Sequence, residues 1–199
     1  MTSLSQESCQ VASENEQLLE NLVASLSGRS RKSRQEAARL LASIAAVSPQ
    51  TVAPYAGAMV DALDNPEAQT RWEMLDALSA LSSVDPELAA GGLDRAEECL
   101  FDDGSGSLRV SAFGYLTSLG CASPEMAARV WPTLDEAIQC YHGDQEFGDM
   151  LGALYRYAQA DLDAGTRRAL VERMSFDARN PRSGVGARAA QIIAAADAR

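Results

Sequence analysis

A pattern of about 38 residues recurs along the chain, and a fixed period in this range restricts a protein to stacked repeats, propeller blades or arrays. It reads Arg34-x-x-Ala37-Ala38-x-Leu40-Leu41-x-x-Ile44, then Arg71-x-x-Met74-Leu75-x-Ala77-Leu78-x-x-Leu81, then Arg109-x-x-Ala112-Phe113-x-Tyr115-Leu116-x-x-Leu119. Looser copies start at Gly148 and Gly186, giving steps of 37, 38, 39 and 38 between equivalent positions. A second register comes from short polar residues placed to cap helix starts, three of them followed by proline. Ser48-Pro49, Asp85-Pro86 and Ser123-Pro124 are spaced by 37 and 38, and Asp161 follows Ser123 by 38. Turn signals at Asn65-Pro66, Asp102 to Ser107, His142-Gly143-Asp144 and Asn180-Pro181 divide each period in two.

The apolar positions follow helical spacing, and no alternating run competes with them. The expectation is an all-α chain of five helix pairs. Helices A fall near 14–27, 49–63, 86–101, 124–141 and 163–178, and helices B near 33–47, 67–83, 107–120, 145–160 and 184–198. Residues 1–12 form a polar N-terminal tail and residues 13–199 one domain. Its units are about 13–47, 48–84, 85–122, 123–160 and 161–199.

The motif Asp103-x-x-x-x-Leu108-Arg109-x-x-Ala112, with Asn65-Pro66-x-x-x-Thr70-Arg71 and Asn180-Pro181 as looser copies, resembles the HEAT repeat family. The resemblance covers residues 13–198 and implies a right-handed α-solenoid of about five HEAT-like two-helix repeats. It also implies an Asp–Arg hydrogen-bonding ladder along the stack, broken where Gly148 and Gly186 replace arginine, and a concave face lined by helices B. Pro54 and Pro132 resemble the helix A prolines of the family, displaced upstream. On spacing alone, Arg34, Arg71 and Arg109 point near the core, where a guanidinium needs a carboxylate or carbonyl partner.

Seventeen Lys and Arg stand against 28 Asp and Glu, a net charge of −11. That balance disfavours a protein coating nucleic acid or anionic lipid with its whole surface. The charge is uneven: net 0 over residues 1–39, −15 over 40–166 and +4 over 167–199. Neither a membrane-spanning run nor a secretory leader is read, so the expected address is cytoplasmic. Cys9, Cys99, Cys121 and Cys140 lack metal-ligand spacing, and His142 is the only histidine. No metal, cofactor or catalytic site is therefore expected, and His142 is assigned to a helix C-terminus.

On a helical wheel with Leu41 inward, the outward positions of helices B follow from the repeat offsets. The second unit presents Glu73 and Asp76 flanked by Trp72. The third presents Ser111 and Gly114, the fourth Met150 and Tyr157 flanked by Asp149 and Arg156, and the fifth Arg188 and Gln191. Arg29, Arg31 and Lys32 form a basic inter-helix loop. The expected function is a non-catalytic scaffold or adaptor whose helix B face binds a protein or peptide, with the acidic centre favouring a basic partner. Alternatives are a nucleic-acid binder of the HEAT-like DNA glycosylase type, using Trp72 and Asp76, and a module that self-associates into a homo-oligomer.

Overall fold

The computed structural model describes residues 16–180 and 182–198, so the expected tail over residues 1–12 lies outside the described residues. Every regular element among the described residues is helical. The chain divides into two compact units, one ending at Ala112 and the other starting at Phe113.

In the first unit, α1 (Glu16–Leu26) precedes α2 (Arg31–Val47). The next helix A is split into α3 (Pro49–Val52) and α4 (Ala56–Asp61) by a 3₁₀ turn at Ala53–Tyr55, and is followed by α5 (Ala68–Leu81). Pro54 lies in that turn, where its missing N–H interrupts the helical ladder. The third helix A is likewise split into α6 (Pro86–Ala89) and α7 (Leu93–Leu100) by a turn at Ala90–Gly92, ahead of α8 (Gly106–Gly120). The unit boundary falls inside α8. The second unit continues with α9 (Pro124–Cys140), which runs through Pro132, then α10 (Phe147–Ala158), α11 (Ala164–Ser175) and α12 (Gly184–Asp197).

Side-chain caps set the helix starts. Of the expected caps, Asp85 and Ser123 accept from the amides of Leu88 and Met126 at 3.1 and 3.1 Å, whereas Ser48 caps no amide with its side chain, its Oγ lying 2.8 Å from Thr51 Oγ1; Ser30, outside that register, accepts from the Ser33 amide at 3.3 Å. Capping by Ser30 starts α2 at Arg31, so Arg31 and Lys32 occupy its first turn, not a loop. The fourth cap is Asp163, not Asp161: its Oδ1 accepts from Gly165 and Thr166 at 2.8 and 3.1 Å, while Leu162 between them is buried.

The inward arginines of the first unit each find a carboxylate or carbonyl partner, although Arg71 Nε is buried without a hydrogen-bond partner among the described residues. Arg34 donates through Nε to Glu67 at 3.1 Å and through Nη1 to the Gly28 carbonyl at 2.7 Å, and its Nη2 also pairs with Glu67. Arg71 donates to Asp102 at 2.9 Å, and Arg109 to the Asp102 carbonyl at 3.1 Å. The ladder carboxylates are thus Glu67 and Asp102, and Asp103 is exposed. The Arg34 guanidinium holds Glu67 below the usual carboxylate range, and the Gly104 amide, with Arg71, does the same for Asp102.

The core reveals a register different from the expected one in the fourth pair. Ala112, Phe113, Leu116 and Leu119 are fully buried, and so, each 38 residues on, are Met150, Leu151, Leu154 and Tyr157. The step is therefore 38 and not 39, with the longer step falling before the last pair. Phe147, buried at 1% exposure, takes the place that Arg109 holds in the third. Met150 and Tyr157 consequently belong to the core, and the expectation that they line a partner surface is corrected. At a period of 3.6 residues, a one-residue slip turns a side chain by about 100°.

Tyr157 is held on three sides. Its hydroxyl donates to the Ala127 carbonyl at 2.8 Å, and its ring stacks on Trp131 at 6.2 Å between centroids, tilted by 14°. A Cβ on Gly120 would come within 2.7 Å of its Cε2 atom, so only glycine admits the ring there. Gly186 is tighter still: a Cβ would stand 2.0 Å from the Asn180 carbonyl oxygen, which explains why the arginine of earlier pairs cannot recur.

Candidate functional site

The first unit gathers Trp72, Glu73 and Asp76 of α5 with Ser111 of α8. Glu73 and Asp76 stand three residues apart on one helix, close enough for their charges to repel. The Glu73 carboxylate accepts hydrogen bonds from the Gln69 amide and the Trp72 indole, and Asp76 accepts from the Ser111 hydroxyl. The charge of Arg39 on α2 acts on Glu73, and Arg39 is paired with Glu36 at 2.7 Å. Trp72, Glu73 and Ser111 are half-buried, while Asp76 is exposed.

Crowding by protein pushes both carboxyls above the ordinary carboxylate range, and for Glu73 the Asp76 charge adds to the effect. Water still reaches Asp76, so the penalty there is moderated. A carboxyl whose folded-state pKa is raised favours the fold while protonated, below the unfolded value near 4. That contribution is lost as pH rises through the folded pKa. At neutral pH the two ionised groups therefore oppose folding. Glu73→Gln with Asp76→Asn is expected to raise Tm at pH 7 by about 1–2 °C, the scale of a surface substitution in a domain of this size. The gain should vanish on acidification below about pH 4, where the native carboxyls are protonated as well. Thermal unfolding of both proteins at the two pH values checks it, and an equal or greater gain in acid would contradict the assignment.

The remaining expected residues are not part of this cluster. Asp149 is exposed on α10, whereas Met150 and Tyr157 are buried. Gly114 is half-buried, and a Cβ there would meet nothing within 4 Å, so no close approach within the chain requires it to be glycine. Arg29, Arg31 and Lys32 are exposed at the start of α2. Indexing by 38 adds Gly152 and Tyr155 to Asp149 and Arg156 on the accessible side of α10. The readable signal was the stripe Phe147, Met150, Leu151, Leu154, Tyr157 and Ala158, which leaves these residues opposite it.

His142 is exposed and pairs through Nε2 with Asp177 Oδ1 at 2.8 Å, its ring centroid 5.0 Å from that of Phe147. Among the described residues, no three His, Cys, Asp or Glu gather as a metal site, and no helix is long and apolar enough to cross a membrane. Eight basic side chains stand against seventeen acidic ones through Ala112 (net −9), and nine against eleven from Phe113 on (net −2).

No protein-family model and no curated protein matches the sequence. Solved structures do. An engineered protein from the Northeast Structural Genomics Consortium is similar with a TM-score of 0.73 and 19% identity, over 98% of this chain and 91% of that one. A designed armadillo repeat protein in complex with the peptide (KR)4 is similar with a TM-score of 0.72 and 17% identity, over 98% and 92%. Computationally designed armadillo repeat proteins for modular peptide recognition give 0.69 and 16%, over 97% and 92%. At these identities the likeness concerns the fold, and in fold the chain is an armadillo/HEAT-like α-solenoid.

Proposed function

We propose that this chain is a non-catalytic binding module that holds a basic, extended segment of a partner protein on the helix B face of its first unit. The observation that carries the reading is the Glu73–Asp76 pair, two carboxylates held together in a crowded setting with no salt bridge to either among the described residues. A lysine or arginine side chain placed between them would relieve their repulsion and add charge-assisted hydrogen bonds. Trp72 supplies a large amphipathic surface beside the pair, of a kind enriched at binding hot spots. The acidic surplus of this unit would speed the approach of a basic segment. A similar fold binding the Lys/Arg peptide (KR)4 supports the ligand class. A nucleic-acid partner fits poorly, since its phosphates would face these carboxylates and a net charge of −9.

The two tryptophans allow a direct test. In a Trp131→Phe background only Trp72 reports, and adding the octapeptide (Lys-Arg)4 should shift its emission saturably. An octapeptide of alternating Glu and Ser should leave it unchanged. Equal responses to both peptides, or none to the basic one, would overturn the reading.

A further inference from the structure

The second unit carries a surface of opposite chemistry. Arg156 on α10 and Arg188 on α12 are exposed, and no carboxylate pairs with either among the described residues. The Arg188 guanidinium carbon lies 5.7 Å from the centroid of the Tyr155 ring, and its Nη1 donates to Gln191 Oε1 at 3.0 Å. These contacts position the guanidinium while using one of its five N–H donors. Because Gln191 Oε1 accepts from Arg188, the Gln191 amide offers only donors outward. Beside this pair runs a shallow depression of about 390 Å³, lined by Tyr155, Gln159, Gln191, Ala194, Ala195 and Ala198. Its small alanines leave room for a backbone, and its polar rim is rich in donors. The exposed carboxylate on this side of α10, Asp149, lies seven residues before Arg156, about 10 Å along the helix.

We infer that the α10–α12 face of the second unit is a separate docking surface for an acidic peptide segment, with Arg188 binding its Glu or Asp carboxylates and the exposed Arg156 of α10 adding positive charge. The choice of occupant rests on charge complementarity. A preset guanidinium offers paired N–H donors to a carboxylate, which a basic or purely apolar segment would leave unused. The inference is independent of the basic-segment site, because it uses none of the residues of that site.

Calorimetric titration of the Glu-Ser octapeptide into the full chain at low ionic strength tests this. Wild type should bind, and Arg156→Gln with Arg188→Gln should weaken binding by about tenfold or more, the scale of losing charge-assisted hydrogen bonds. Glu73→Gln with Asp76→Asn should not weaken it. The arginine variant should still bind (Lys-Arg)4 as wild type does, which separates failure at this site from failure at the other and confirms folding. Three results would overturn the inference: no binding by wild type, equal affinity in the arginine variant, or a loss only on neutralising Arg29, Arg31 and Lys32.

Discussion

Tyr157→Ala is expected to destabilise the protein by about 3–5 kcal/mol, the range for removing a fully buried aromatic side chain. The ring is inaccessible to solvent, stacks on Trp131 and fills the space left by Gly120, so its loss leaves a cavity that neighbouring helices cannot readily fill. Tyr157→Phe separates packing from hydrogen bonding. It keeps the ring and loses only the bond to the Ala127 carbonyl, at about 1 kcal/mol. Denaturant unfolding of the three proteins measures both values. A loss below about 0.5 kcal/mol for Tyr157→Ala, as expected of a surface position, would place the side chain outside the core and restore the 39-residue step.

The largest expected change in binding comes from reversing one charge. Asp76→Lys puts a cation beside Glu73, where it would occupy the carboxylate that a partner's basic side chain needs. It also removes the acceptor for the Ser111 hydroxyl. Like-charge contact at an interface costs several kcal/mol, so affinity for (Lys-Arg)4 should fall by about 100-fold or more. Because Asp76 is exposed, its lysine counterpart can extend into solvent, and the unfolding midpoint should change little. A calorimetric titration alongside a denaturation curve records both quantities. Affinity within about threefold of wild type would remove Asp76 from the binding surface.

Much of the architecture is legible in the sequence because it depends on local chemistry. Asp85 and Ser123 cap helices through their own side chains, as their spacing predicts, and the stripes around Leu41, Leu78 and Leu116 declare one face of each helix B, whereas the cap at Ser30 lies outside that spacing. The grouping of Trp72, Glu73, Asp76 and Ser111 on one accessible face is legible for the same reason, since they lie at fixed angles from those stripes. The fourth pair was misread because an inward arginine has no counterpart there. Phe147 fills that position with an apolar ring, and Gly148 next to it mimics the degenerate end of the pattern. The one-residue slip turns Met150 and Tyr157 outward and conceals Tyr155, while Arg156 stays on the outward side in either register. Asp161 misled similarly, since a polar residue at the expected spacing does not reveal that Asp163, two residues on, supplies the capping oxygen. The close approaches at Gly120 and Gly186 depend on tertiary contacts to Val130 and Tyr157 and to the backbone of Asp177 and Asn180, which no local pattern encodes. The pairing of Arg188 with Tyr155 likewise joins two helices about 30 residues apart.

Isothermal titration of (Lys-Arg)4 into wild type and into Glu73→Gln/Asp76→Asn, at matched ionic strength, tests the central claim most directly. The variant keeps the shape and hydrogen-bonding capacity of the surface while removing both charges. Affinity should fall by about tenfold or more, with a shallower dependence on salt, because two carboxylate contacts to cations are lost. An unchanged Kd with an unchanged salt dependence would contradict the account, since a basic segment would then be held without the acidic pair.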